Sequence, residues 1–107
     1  MYYVYMLRCQ DNSLYTGIAK DLQKRMNDHF TRNKNCAKYT LNHKAQKLEC
    51  AWETLNKSLA SKLEYHIKQL PKNKKEDLIK NNNTTFLNLK IEWKMYNKID
   101  ISSIITD

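Results

Sequence analysis

The sequence predicts an α/β (α+β) domain, and three observations carry that prediction. Two runs rich in aromatic and β-branched residues, Tyr2 to Cys9 and Leu14 to Ala19, are split by the turn-formers Asp11-Asn12-Ser13, the pattern of a β-hairpin. A third run, Lys47 to Leu55, sets Leu48, Cys50 and Trp52 against Lys47, Glu49, Ala51 and Glu53, as a half-buried strand does. Apolar residues at helical spacing fill the segments around it. The predicted order is β-β-α-β-α-α.

In the hairpin, a loop over residues 11–13 makes Gln10 face Leu14, Cys9 face Tyr15, Leu7 face Gly17 and Tyr5 face Ala19. Side chains alternate along a strand, so Tyr5 and Tyr15 emerge on one face. Gly17, the only glycine in the chain, lies between them. Two phenols over a glycine gap read either as a packed aromatic surface or as the floor of a site where another backbone approaches closely. A bulge at Asn12 would shift this register by one.

Asp21 is a good N-cap for a helix running to about Arg32, with Leu22, Met26, His29 and Phe30 at helical spacing. Arg25 and His29, four apart, share one of its faces. Residues 33–46 read as a loop carrying Lys34, Lys38, Tyr39 and Lys44, a composition suited to phosphate and base contact as well as to a solvated connection. After the third strand, Asn56 or Ser58 caps a helix whose core stripe is Leu59, Leu63, Ile67 and Leu70. Ala60, Glu64 and Lys68 form the row beside that stripe. Pro71 ends this helix or starts the next, which spans Lys72 to Lys80 and presents Lys72, Lys74 and Lys75 outward. Residues 1–81 are therefore expected to form the domain. Residues 82–107 form an extension after an Asn81-Asn82-Asn83 linker. Its Phe86, Leu87, Leu89, Ile91, Trp93 and later isoleucines make it too apolar for plain disorder.

Composition narrows the class. The chain of 107 residues is 41% hydrophobic, enough for one folded domain. No stretch approaches the roughly twenty apolar residues of a membrane span, and no charged-then-apolar leader opens the sequence. A cytoplasmic location is the expectation. Cys9, Cys36 and Cys50 form no CxxC pair, so reduced thiols are expected rather than a disulfide framework or zinc knuckle. A formal charge of +8 favours polyanionic partners, nucleic acid first.

Taken together, these strings resemble the GIY-YIG nuclease family. Tyr3-Val4-Tyr5 stands where that family has its first string and Tyr15-Thr16-Gly17 where it has its second. Arg25 and His29, then Ala37-Lys38-Tyr39-Thr40, then Glu64 on a later helix follow in the family's order. The match is most similar to the short bacterial branch, over roughly residues 2–80. The resemblance implies a three-stranded antiparallel sheet flanked by helices and metal-dependent hydrolysis of phosphodiester bonds in DNA. By position it makes Tyr5 the base that aligns and deprotonates water, and Tyr15 its support. Arg25 becomes the stabiliser of phosphate charge, and His29 an orienting or relaying group. Glu64 becomes the ligand of one divalent cation, Mg²⁺ or Mn²⁺. Tyr is a weak base with a reference pKa of about 10, so a neighbouring cation must lower it. One carboxylate completed by water and substrate oxygens is normal for Mg²⁺.

The sequence departs from the family at Glu76, where many members carry Asn, and at Asn12, which replaces a turn glycine and tolerates the left-handed conformation. Singly, Tyr5 and Tyr15 read as core aromatics, Arg25 and Glu64 as surface charges, and His43 and His66 as structural or exposed. Two readings from other classes stand beside the nuclease. One is a non-catalytic nucleic-acid-binding module on the same fold, using Lys34, Lys38, Tyr39, Lys44, Lys68, Lys72, Lys74 and Lys75. The other is an interaction protein using its apolar tail.

Overall fold

The hairpin forms two residues out of the expected register. In a computed structural model that describes residues 1–31, 37–81 and 91–106, β1 (Tyr2–Cys9) pairs antiparallel with β2 (Leu14–Ala19), and Tyr5 lies opposite Gly17, not Ala19. The turn spans residues 10–12. Asn12 N–H donates to the Cys9 carbonyl at 2.9 Å, and Cys9 N–H to the Ser13 carbonyl at 2.9 Å. Asn12 takes the left-handed backbone this turn requires, with φ 69°. Asp11 accepts hydrogen bonds from the Ser13 backbone and hydroxyl, which anchors the turn. A shift of two residues preserves which face each side chain occupies, so Tyr5 and Tyr15 still share one.

The sheet has four strands in the order β2-β1-β3-β4, one more than expected. β3 is Ala45–Thr54 and β4 is the pair Asn97–Lys98, so the extra strand comes from the C-terminal segment. Between them run α1 (Leu22–Thr31), α2 (Lys38–Asn42), α3 (Lys57–Lys68), α4 (Lys72–Lys80) and a 3₁₀ turn (Trp93–Met95). The caps fall where the sequence places them: Asp21 Oδ1 accepts from Lys24 N–H at 3.1 Å, and Asn56 Oδ1 from Leu59 N–H at 2.9 Å. The expected loop over 33–46 contains α2 and the start of β3. Lys34, Cys36, Phe86, Leu87 and Leu89 lie outside the described residues.

One expectation about β3 is overturned. Leu48 and Cys50 do not share a face. Met6 pairs with Cys50 and Leu7 with Leu48, so Glu49 is an extra residue in a β-bulge. The bulge sends Cys50 and Trp52 to one side with Val4 and Met6, and Leu48 to the other with Leu7. It also brings the Glu49 carboxylate to Arg8 Nε at 2.9 Å. Glu76 of α4 closes on the Arg8 guanidinium with two bonds of 2.5 and 2.6 Å, a forked pairing of high geometric specificity.

Two cores result. Under one face, α3 and α4 bury Ala60, Leu63, Ile67 and Leu78 against Val4, Met6, Cys50 and Trp52. Under the other, α1 buries Leu22 and Met26 against Tyr5, Leu7, Leu48 and Ala51. The C-terminal segment joins both: Tyr96 enters the first, while Ile99, Ile101 and Ile104 pack on the second. Its Lys98 ammonium donates to the carbonyls of Leu78, Ile79 and Asn81 at 2.8–3.1 Å, satisfying the C-terminal end of α4. Cys9 and Cys50 are free and buried. No helix among the described residues is long and apolar enough to cross a membrane.

Candidate active site

Tyr5 is the centre of the site because Gly17 lets it lie flat across its neighbour strand. A Cβ at Gly17 would stand 2.5 Å from the Tyr5 hydroxyl oxygen and 2.7 Å from Cζ, with Tyr15 Cε2 at 3.0 Å. No side chain fits there, so the glycine is required by the phenol above it. α1 crosses this face and supplies Arg25 and His29 from successive turns. The Tyr5 hydroxyl is 2.7 Å from His29 Nε2, and Arg25 hydrogen-bonds the same phenol. Asp28, one turn beyond Arg25, holds the guanidinium at 3.7 Å.

The second ring nitrogen of His29, Nδ1, lies 2.9 Å from Thr40 Oγ1 on α2. Thr40 Oγ1 in turn donates to the Ala37 carbonyl at 3.0 Å. Tyr5, His29 and Thr40 have no exposed surface. Burial, reinforced by the Arg25 charge and opposed by Asp28, pulls His29 down to about 4, so its imidazole is neutral near pH 7. Burial and the adjacent Tyr15 push the Tyr5 phenol above its ordinary value, and Arg25 works against them. The free domain therefore keeps a protonated phenol against a neutral imidazole.

Outward from this pair runs a series of rings. Tyr15 packs at a tilt on Tyr5 and His29, with centroids 6.2 and 5.5 Å away. Tyr39 stacks on Tyr15 at 5.5 Å, and His43 on Tyr39 at 4.1 Å. His43 Nδ1 pairs with Asp11 Oδ2 at 2.5 Å, tying α2 to the hairpin turn. Asp11 is held well below the usual carboxylate range by Ser13 first and His43 second.

Glu64 comes from α3, which packs on the opposite face but lies along β2, the edge strand. Its carboxylate is 3.5 Å from the Lys68 ammonium. That ammonium sits 5.9 Å from the centre of the Tyr15 ring, so Glu64 and Tyr15 share one cation at the β2 edge. Among the described residues no three His, Cys, Asp or Glu side chains gather into a metal-binding group. The donor set fits a hard divalent cation held by one carboxylate and completed by water and phosphate oxygens; it does not fit an all-protein cage.

The remaining candidates separate. Tyr39 is part of the ring series, and Lys38 and Lys44, next in sequence to Tyr39 and His43, are exposed. Lys72, Lys74 and Lys75 are on α4, whose Leu78 packs on the face away from Tyr5. Glu76, at the position of the family's Asn, is bound to Arg8 on that same face. Sequence reasoning missed the ties made by Thr40, His43 and Asp28. For Thr40 the signal was its place directly after Tyr39 in the Ala37-Lys38-Tyr39-Thr40 string, but nothing in the string names its partner.

The model of the GIY-YIG catalytic domain matches residues 1–77, and the chain belongs to this nuclease-type family. Within the family it falls among the short bacterial UPF0213 proteins. UPF0213 protein FN1575 of Fusobacterium nucleatum subsp. nucleatum is 47% identical over 78 residues, covering 73% of this chain and 76% of that protein. UPF0213 protein OB0043 of Oceanobacillus iheyensis is 44% identical over 78 residues, covering 73% and 88%. A solution NMR structure of UPF0213 protein BH0048 from Bacillus halodurans aligns with a TM-score of 0.49 at 32% identity, over 86% of this chain and 100% of that one.

Proposed function

We propose that the domain is a metal-dependent endonuclease hydrolysing phosphodiester bonds in DNA. The observation that carries the reading is the run Arg25–Tyr5–His29, a partly exposed cation and a buried proton acceptor on one buried phenol. Attack of water on a phosphodiester builds negative charge on the non-bridging and leaving oxygens. Arg25, partly exposed, would take a non-bridging oxygen with its guanidinium N–H groups. Tyr5 would pass its phenolic proton to His29 Nε2 and accept the proton of the attacking water; the water oxygen bonds to phosphorus as the P–O bond to the leaving oxygen breaks. Tyr5 has no exposed surface in the free domain, so Arg25 or Tyr15 must move aside as the phosphate arrives. A divalent cation, Mg²⁺ or Mn²⁺, held at Glu64 would supply positive charge at the leaving oxygen. Lys38, Tyr39, Lys44 and Lys68 border this site and would follow the strand backbone, whereas Lys72, Lys74 and Lys75 would contribute only long-range attraction.

The sequence of elements leaves no separate base-reading module among the described residues. The reading is therefore structure-selective or weakly sequence-specific cutting, of the kind DNA repair or recombination uses, in the cytoplasm. The test is cleavage of supercoiled, single-stranded, nicked and branched DNA with Mg²⁺ or Mn²⁺ by wild type, Glu64→Ala and Tyr5→Phe. Both variants should lose at least about 10²-fold in rate with binding retained, Tyr5→Phe as a lost general base and Glu64→Ala as a lost metal ligand. Equal cutting by all three would sink the reading. Salt-sensitive binding without any cutting would favour the binding module instead.

A further inference from the structure

We infer that Thr40 is a positioning residue for this site: its hydroxyl holds His29 in the tautomer whose bare Nε2 faces Tyr5. The kinetic consequence rests on the nuclease reading; the structural content does not.

A threonine hydroxyl has a single hydrogen. Thr40 Oγ1 lies 3.0 Å from the Ala37 carbonyl oxygen, which can only accept and which also takes the Thr40 N–H at 3.1 Å; the hydroxyl hydrogen is assigned to that carbonyl. With the hydrogen there, the 2.9 Å contact between Thr40 Oγ1 and His29 Nδ1 is Nδ1–H donating to the hydroxyl oxygen. A neutral imidazole carries one N–H, so Nε2 bears a lone pair. The 2.7 Å contact with Tyr5 is consequently the phenol donating to Nε2. Arg25 has only donors, and it meets the phenol at its oxygen. The polarity runs one way throughout, from Arg25 through Tyr5, His29 and Thr40 to a backbone carbonyl. All three intermediate groups are fully buried, where a reversed or broken link would leave an unpaired polar atom.

Removing the Thr40 hydroxyl removes the one acceptor for Nδ1–H among the described residues. The imidazole is then free to move its hydrogen to Nε2 and donate to Tyr5. In that tautomer His29 cannot take the phenolic proton, although the residues and their positions are unchanged. A wrong tautomer of a base is as damaging as its loss.

Thr40→Val keeps the shape and deletes the hydroxyl; Thr40→Ser keeps the hydroxyl and deletes a methyl. The ¹⁵N-labelled full chain of wild type and both variants is read by long-range ¹H–¹⁵N correlation at the His29 ring. Wild type and Thr40→Ser should show a protonated Nδ1 and a bare Nε2, and Thr40→Val a shift toward protonated Nε2. On the best-cut DNA, Thr40→Val should lose about 10²-fold or more in kcat with KM unchanged, and Thr40→Ser should recover most of it. A protonated Nε2 in wild type overturns the inference even if Thr40→Val fails to fold, as does an unchanged tautomer in folded Thr40→Val. Full kcat in a Thr40→Val enzyme with a switched tautomer overturns the positioning role. If the tautomers behave as expected but wild type cuts no DNA, the nuclease reading falls and the assignment of Thr40 to the His29 tautomer stands.

Discussion

The two faces of the sheet bury residues equally well but bury different chemistry. On the α3–α4 side, Val4, Met6, Trp52, Leu63, Ile67 and Leu78 are almost wholly enclosed and apolar. On the α1 side, Tyr5, His29 and Thr40 are as deeply enclosed, yet each carries a polar atom with a named partner. One strand serves both: Val4 and Met6 of β1 enter the apolar core, and Tyr5 between them enters the site. Burial on the first side lowers free energy directly. On the second it costs free energy unless every donor finds an acceptor, which explains why that run ends on a backbone carbonyl rather than on another side chain. The contrast implies that stability and activity should respond to different substitutions.

The largest expected effect tests the apolar side. Trp52→Ala should cost about 3–5 kcal/mol, a large share of the roughly 5–15 kcal/mol a domain possesses, seen as a lower urea midpoint. Cleavage per folded molecule should be unchanged. If activity falls further than the folded fraction does, the two faces are not separable.

Gly17→Ala attacks the other side. The new methyl would overlap Tyr5 Oη and Cζ, and both rings are pinned by contacts. Overpacking of this kind costs about 1–3 kcal/mol, but displacing Tyr5 from His29 should abolish cutting altogether. A Gly17→Ala protein that cuts at the wild-type rate would show that Tyr5 need not lie where it does.

Acid separates the two faces without mutation. His29 is pulled from its ordinary 6.5 to about 4 by burial first and Arg25 second. Between those values the unfolded chain binds the proton and the folded one does not, so stability falls as pH drops from 6.5 to 4. Glu76, lowered mainly by Arg8, loses its contribution only below the ordinary carboxylate range. Urea midpoints measured against pH should slope downward through this window in wild type and flatten in His29→Gln. A flat wild-type profile would mean the α1 side does not hold a buried neutral imidazole.

Much of this division was legible in the sequence, for reasons tied to periodicity. Alternation fixes the faces of β1 regardless of where the turn falls, so placing the loop at 11–13 instead of 10–12 moved the pairing by two without moving Tyr5 or Tyr15 across the sheet. The four-residue spacing of Arg25 and His29 likewise fixes a shared helix face. The bulge at Glu49 was not legible, because its carboxylate finds Arg8 on another strand and Arg8 in turn finds Glu76 on α4. α2, five residues long, is too short to show a helical period, and a helix of that length depends on docking for its stability. Thr40 finds His29 only once α2 has docked, and β4 finds β3 only after the chain has returned from α4.

The same substitution made on both faces gives the finest test. Thr16 and Thr40 are both buried threonines. Thr40 Oγ1 has two partners, whereas Thr16 Oγ1 has none among the described residues. Thr16 pairs with Met6 and so points to the α3–α4 side, at the position where the family's second string has isoleucine. Its hydroxyl is desolvated among apolar groups with no compensating bond, a cost of about 1–3 kcal/mol. Thr16→Val should therefore raise stability by about 1 kcal/mol and leave cutting unchanged, while Thr40→Val lowers activity. Paired urea melts and rate measurements on the two variants would read the difference directly. A destabilised Thr16→Val would mean that its hydroxyl has a partner, a bound water included, and that the apolar side is less uniform than its side chains suggest.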